Sequence, residues 1–511
     1  MPLTGREPNL PDVVASITFE VNGRAVTVPD DGASLLEVVR DRLGLRAVKD
    51  GCSPQGQCGC CTVWVDGAPR VACVTPVSRV DGRRVTTPEG LPDASRWADA
   101  FCGAGASQCG FCTPGIVMRL AALAPGGDAG RALLAHLCRC TGWQTIFEVA
   151  NGDVTIDPDR DLEAAGRRAT IEGGVAQRVG PAVTLGEGGF ADDTAPLDAL
   201  VAVRALDGRW VVGETLVEAR AAAGNVPGRR TTLGLTWPLT VPAGEWARTL
   251  RTTWVEPGYL EPDASWCVPG GEPVSALANG GAFGGKAAEE VREVARRLAG
   301  EHGRAVRVLY SREDVVRLGP KRPPVAAGVS RDGEGVVRVV RTRGVAAAIA
   351  AVAPQLRVEE VDVVGPRTSM AVRAAGWAEA AVLVTAGERP VVAPNGAEAE
   401  AVVDDSGVRV RVRCGDPIDR VVLRSYCIGA AHMALGWVRS EGIAVDESGE
   451  PCDLTIRSFG ILRAVDMPHV EVEIDDASGI AVNGSDAVFA AVAAAAWRYH
   501  DYASDWPVSR R

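Results

Sequence analysis

The stretch GCSPQGQCGCCTVWVDGAPRVACV (51–74), followed by QCGFCTPG (108–115) and LCRCTGW (137–143), decides how this chain is read. Nine of its 14 cysteines fall there, and eight of them make two groups, with Cys60 left over: Cys52, Cys58, Cys61 and Cys73, then Cys109, Cys112, Cys138 and Cys140. The first group is spaced C-x5-C-x2-C-x11-C and the second C-x2-C-x25-C-x-C. Iron–sulfur clusters need thiolates held close together on tight, Gly-rich turns, with more distant cysteines completing a set of four. Eight thiolates suffice for two such clusters. Zinc suits one C-x2-C pair matched by another, but the C-x-C pair is unusual for a zinc ribbon. Disulfides suit a secreted chain, and no signal peptide precedes the stretch. Spacing alone leaves zinc and buried free thiols open beside iron–sulfur.

The elements around the first group point to one small fold. Ile17, Phe19 and Val21 alternate up to Asn22-Gly23, and Val26 and Val28 follow, which predicts a hairpin with a type I′ turn. Ser34 and Glu37 form a capping-box pattern opening a helix that stops at Gly44. Thr62 to Val65, Asp66-Gly67 and Val71 to Val74 predict a second hairpin, with Cys73 on its last strand. Two hairpins around one helix make a ferredoxin-like β-grasp domain over 15–84. Residues 85–150 read as helical: Pro114 sits at a helix start, IVMRLAALA has one apolar face, and RALLAHLC predicts a helix running into Cys138. His136 reads as a packing or surface histidine, since four cysteines already complete a set.

Residues 1–14 form a polar tail, and the charged stretch 151–178 a surface linker. From 179 to 511 the composition turns to Val, Ala and Gly, with short strands and helices, so the whole is α+β. Gly280 to Gly285 can turn tightly and let a phosphate approach the backbone, or can simply join a strand to a helix. The following helix places Val291, Val294, Ala295 and Leu298 on one face, with Gly300 as its stop. The run AVFAAVAAAAW (487–497) predicts a buried helix. At 46% hydrophobic and 23% charged, 511 residues make two to four globular domains. A net charge of −11 argues against unspecific nucleic-acid binding. No run of 18 apolar residues predicts a membrane span, and the N-terminus carries no apolar core or twin arginine, so a cytoplasmic location is expected. Most of Cys60, Cys102, Cys267, Cys414, Cys427 and Cys452 are expected as small buried apolar residues.

QCGFCTPG followed by LCRCTGW closely resembles the iron–sulfur subunit of the molybdenum hydroxylases, the xanthine dehydrogenase, aldehyde oxidase and carbon monoxide dehydrogenase family. The resemblance implies a plant-type [2Fe-2S] cluster on Cys52, Cys58, Cys61 and Cys73. It implies a second [2Fe-2S] cluster on Cys109, Cys112, Cys138 and Cys140. The C-x5-C gap departs from the usual C-x4-C, and the gap from Cys112 to Cys138 is short for the family. The second half resembles the molybdopterin-binding subunit in patches: FADDTAPLDALVAV, WVEPGYLEPDASW with Glu256 and Glu261, NGGAFGGK, and VRAAGWAEA. These bring in Gly280, Gly281, Phe283, Gly284, Gly285 and Arg373 as residues near a cofactor.

Pieces of that subunit are missing. Only 18 residues separate Glu261 from Gly280, where the family has several tens, and no GQG segment lies between Ala386 and Val403. Asp486 stands where the family carries its catalytic Glu. An Asp is one methylene shorter and reads better as a helix N-terminal charge behind a Ser485 cap. No catalytic residue is therefore expected in this chain. The resemblance implies an electron-transfer and scaffold subunit that pairs with an intact molybdopterin-binding subunit and a flavin (FAD) subunit. Two other readings stand beside it: a compact molybdenum enzyme using Glu261, Arg373 and Asp486, and an interaction protein whose clusters only stabilise or sense.

Overall fold

Ile17 sits opposite Val28 and Phe19 opposite Val26 in the first hairpin. Its two turn residues take positive φ, +49° at Asn22 and +80° at Gly23, as a type I′ turn requires. The computed structural model describes residues 15–224, 231–275, 280–286 and 289–509; the expected tail at 1–14 lies outside them. The first sheet runs Arg24–Pro29, Ser16–Val21, Arg84–Thr86, Thr62–Val65, Ala68–Val71. The Ser34 hydroxyl accepts the Glu37 N–H at 3.2 Å and opens the helical segment beneath it. This is the expected β-grasp layout, with one shift. Its last strand ends at Val71, and Cys73 sits in the helical turn Ala72–Val74 that follows.

The helices Ala94–Ala104, Thr113–Leu120, Ala129–Ala132 and Gln144–Asn151 make the second unit. The helix expected to reach Cys138 stops short. After a turn at Leu133–Ala135 the backbone becomes extended at His136. The reason is a contact with the first unit: the Leu137 N–H donates to the Cys58 carbonyl at 3.0 Å.

The expected surface linker is also corrected. Residues 162–173 form the helix Leu162–Gly173, capped by the Asp161 carboxylate on the Glu163 and Ala164 N–H groups. Its inner face buries Arg168 and Glu172, which pair with each other. Arg168 also donates to the carbonyls of Asp416 at 3.3 Å and Val482 at 3.0 Å. The stretch has little apolar periodicity because its buried face is made of small residues, Ala164, Ala165 and Ala169, and an ion pair.

Among the described residues three more sheets follow, of four, five and four strands, and the whole is α+β. Two buried helices, Arg420–Arg439 and Ser485–Tyr499, pack on each other and on the last sheet. The helix after the Gly-rich loop, Glu289–His302, buries Val291, Val294, Ala295 and Leu298 as expected, but runs past Gly300. Among the described residues Arg420–Arg439 is the one helix long and apolar enough to cross a membrane, and 89% of its apolar window is buried within the protein.

The buried ring of His432 lies in that helix, with Nε2 3.0 Å from the Leu462 carbonyl oxygen. Burial pushes its pKa down from 6.5 to about 4. The unfolded chain takes up this proton near its ordinary pKa, so the contribution is complete above that value and drains away as pH falls to the folded one. Across the full window it amounts to roughly 3 kcal/mol. Between about pH 7 and pH 5, urea unfolding of the wild type should lose roughly 2 kcal/mol more than that of His432→Gln. Equal losses would refute this assignment.

Candidate iron–sulfur and cofactor sites

Both cysteine groups are closed. All eight side chains are buried, each 5% exposed or less. In the second group the thiols fall in pairs. The Cys109 and Cys140 sulfurs are 3.6 Å apart, and Cys112 is hydrogen-bonded to Cys138. That bond pulls the Cys138 thiol down to about 6 and pushes Cys112 up. In the first group Cys52 contacts Cys58 and Cys73, and Cys73 also contacts Cys61. Hydrogen bonds from Cys58 and Cys73 hold the Cys52 thiol low. A [2Fe-2S] cluster takes two thiolates on each iron, so paired thiols fit it. Among the described residues no three Cys, His, Asp or Glu groups converge on a single-ion position.

The loops supply donors as well as thiols. The Gln57 N–H points at the Cys52 sulfur and the Cys73 N–H at the Cys61 sulfur, both at 3.4 Å. Thr141 Oγ1 lies 3.2 Å from the Cys138 sulfur. Such bonds to sulfur tune a cluster's potential. Cys60 is equally buried and sits beside Cys58 of the first group, near enough to Cys112 of the second for a charge on Cys60 to raise the Cys112 pKa. Burial alone does not separate it from Cys61; the Cys73 N–H bond does.

His136 joins the two groups and is no ligand in this arrangement. Its ring is buried, 3.1 Å from Thr62 Oγ1. It also fills the space that a side chain at Gly59 would need, where φ is +74°. Burial pushes its pKa to about 3, so it is neutral.

The chain's second half covers much of both groups. Gln55 donates to Glu313 at 2.7 Å and to the Leu454 carbonyl at 2.9 Å. Arg457 reaches the Gln57 carbonyl at 2.8 Å, and Arg312 reaches that of Gly51 at 2.5 Å. Gln108 donates to the Cys140 carbonyl and to Ser425, each at 3.0 Å. Gly429 packs so closely on that carbonyl that no side chain fits there. Arg139, between two candidate ligands, forms a buried pair with Glu441 at 2.5 and 2.8 Å. Further out, Arg40 grips Asp192 at 2.6 Å and Asp193 at 2.7 Å, and Lys49 also pairs with Asp193. None of these long-range partners was evident in the sequence. Most rest on a charged or polar side chain of the kind that ordinarily reads as a solvated face.

Gly280, Gly281, Phe283, Gly284, Gly285 and Arg373 do not fit a molybdopterin. A Cβ on Gly284 would overlap the Ala371 carbonyl, one on Gly285 would press on Pro257, and one on Gly280 would strike Glu261. At those Cβ positions the chain itself fills the space, while Gly284 and Lys286 also border a surface cavity of about 700 Å³. Arg373 is 4.6 Å from the Phe283 ring, pairs with Asp486 at 2.8 Å and hydrogen-bonds Ser485. The cavity lined by Phe283, Arg373, Arg322, Met433 and Glu441 measures about 20 Å³, room for about one water. Glu256 pairs with buried Lys321 at 2.8 Å and Glu261 with Lys286. Burial raises the Glu261 pKa to about 7. Glu261, Arg373 and Asp486 therefore each have a partner within the chain.

Ser485 is not the cap expected. The Asn483 side chain accepts the Asp486 N–H at 2.9 Å, and Glu172 accepts those of Gly484 and Ser485 at 3.1 and 2.9 Å.

Two family models match this chain: a 2Fe-2S iron–sulfur cluster binding domain over residues 19–78 and a [2Fe-2S] binding domain over 87–151. The nicotine 6-hydroxylase small subunit of Paenarthrobacter nicotinovorans is 40% identical over 141 residues, which is 26% of this chain and 85% of that protein. The xanthine dehydrogenase of Blastobotrys adeninivorans is 37% identical over 207 residues, 34% of this chain. The chain spans only 14% of that protein's length. In fold, the chain is similar to the aldehyde oxidoreductase of Desulfovibrio gigas, with a TM-score of 0.71 and 14% identity over 97% of this chain and 99% of that one. At that identity the likeness is one of fold. Its two 2Fe-2S domains give the chain an electron-transfer role, and it belongs to the molybdenum hydroxylase family.

Proposed function

We propose that this chain is the iron–sulfur electron-transfer and scaffold subunit of a molybdenum-dependent hydroxylase complex. It would carry electrons from a molybdenum site on a partner subunit to a flavin subunit or another acceptor. Cys52, Cys58, Cys61 and Cys73 hold one [2Fe-2S] cluster, and Cys109, Cys112, Cys138 and Cys140 the other. When bound, the two clusters accept and release single electrons. The protein supplies buried thiols, N–H donors to sulfur, and a backbone hydrogen bond from Leu137 to Cys58 that fixes one group against the other. We divide the chain into a plant-type domain at 15–84, a helical domain at 85–150 and a molybdopterin-subunit-like region at 179–511, with 151–178 packed against the last.

One observation carries the assignment of molybdenum to a partner: the interior cavity between Phe283, Arg373 and Glu441 is about 20 Å³, beside the Arg373–Asp486 pair. The small iron–sulfur subunits among the relatives support a complex of several chains. Metal analysis of anaerobically purified chain tests this reading. Iron without molybdenum is expected, together with co-purification of an intact molybdopterin-binding subunit on co-expression. Stoichiometric molybdenum in the isolated chain would replace it with the reading of a compact molybdenum enzyme.

A further inference from the structure

Of the residues that flank the eight candidate ligands, one is exposed: Val74, next to Cys73, at 55%. The other flanking positions are buried or, at Gln57, half-buried. The contacts of Gln55, Gln57, Gln108, Arg139 and Gly51 with the second half explain why. Beside Val74 lies a surface cavity of about 370 Å³, lined by Val74, Pro76 and Val80 together with Arg70, Arg79 and Arg83. All three arginines are exposed, and no acidic residue lines the cavity. Arg83 lies 3.8 Å from Asp66, a loose and exposed pairing. Among the described residues no ion pair engages Arg70 or Arg79. This cationic rim stands out on a chain whose net charge is −11.

We infer that the Val74 face is the docking surface for an acidic one-electron carrier protein. An exposed apolar residue among arginines that are unpaired, as at Arg70 and Arg79, or only loosely paired, as at Arg83, is the pattern of an interface with an anionic partner. The charges steer the encounter and the apolar centre seals it. The face also lies over the one candidate ligand with an exposed neighbour, so the docked carrier sits nearest to Cys73. In each encounter one carrier molecule loses an electron and this chain gains it, or the reverse. The inference rests on the electron-transfer reading above and names the kind of partner that reading leaves open.

The test uses the full chain with its iron content and EPR signals measured first. Absence of clusters at that stage would overturn the function reading itself. The oxidised chain is then mixed in a stopped-flow instrument with either of two reductants: a reduced acidic two-iron ferredoxin or reduced methyl viologen, a small cation. The rate with ferredoxin should fall at least about tenfold in an Arg70→Glu, Arg79→Glu double variant, less in the matching Gln variant, and steeply with added salt. The rate with viologen should stay the same or rise, with EPR signals unchanged. With clusters present, ferredoxin rates that agree within about twofold across the variants and across salt would overturn the inference. So would sedimentation showing self-association that the double variant abolishes, which would assign the face to a second copy of this chain.

Discussion

Cys138→Ser should leave the purified chain with about two irons where the wild type carries about four. Cys112→Ser should do the same, and Cys58→Ser or Cys61→Ser should remove the other pair. The paired contacts of Cys112 with Cys138 and of Cys109 with Cys140 motivate the prediction, because a cluster that loses one of four thiolates loses half the protein ligands of one iron. Cys60→Ser is the control. Its sulfur is buried beside the first group, yet the Cys73 N–H bonds Cys61. Iron content and the two EPR signals read the result. A Cys60 variant that loses a cluster while the Cys61 variant keeps both would overturn the ligand assignment.

Arg139→Ala should cost about 3–5 kcal/mol of stability, because it leaves the Glu441 carboxylate buried without its partner. The two side chains are 4% and 2% exposed, so water cannot replace the lost charge. Arg139 also donates to the Pro257 carbonyl at 2.9 Å, which would lose its donor. Replacing both members, Arg139→Met with Glu441→Leu, should recover most of the loss, since the desolvation of both charges disappears together. Urea unfolding of the iron-loaded chain measures it. A single variant within about 1 kcal/mol of the wild type would show that the pair is hydrated in solution.

Much of the first 150 residues was legible because local rules decide them. Asn22-Gly23 and Asp66-Gly67 need positive φ, Ser34 offers a cap, and alternating Ile17, Phe19 and Val21 face one way. The second half was legible only as patches. The buried helix at 487–497 followed from its composition, and the helix behind the Gly-rich loop from its apolar face.

What stayed hidden is a set of charged residues whose partners lie hundreds of positions away: Arg168 with Val482, Arg139 with Glu441, Arg457 with Gln57. A charged residue at helical spacing ordinarily marks a solvated face, and nothing local says that a carbonyl from a distant loop will receive it. The glycines of 280–285 misled for a related reason. A loop that lets a ligand approach also lets the Ala371 carbonyl and Pro257 approach, and here the chain takes that place itself.

Residues 425–457 close over loops made more than 280 positions earlier in the chain, as Ser425 on Gln108 and Arg457 on Gln57 show. Once that cover is in place, thiols that are 5% exposed or less offer no entrance for iron and sulfide. The expected consequence is an order in biogenesis: a chain held unfolded in urea with iron and sulfide should gain its full iron content on refolding, and one already folded without them should gain little.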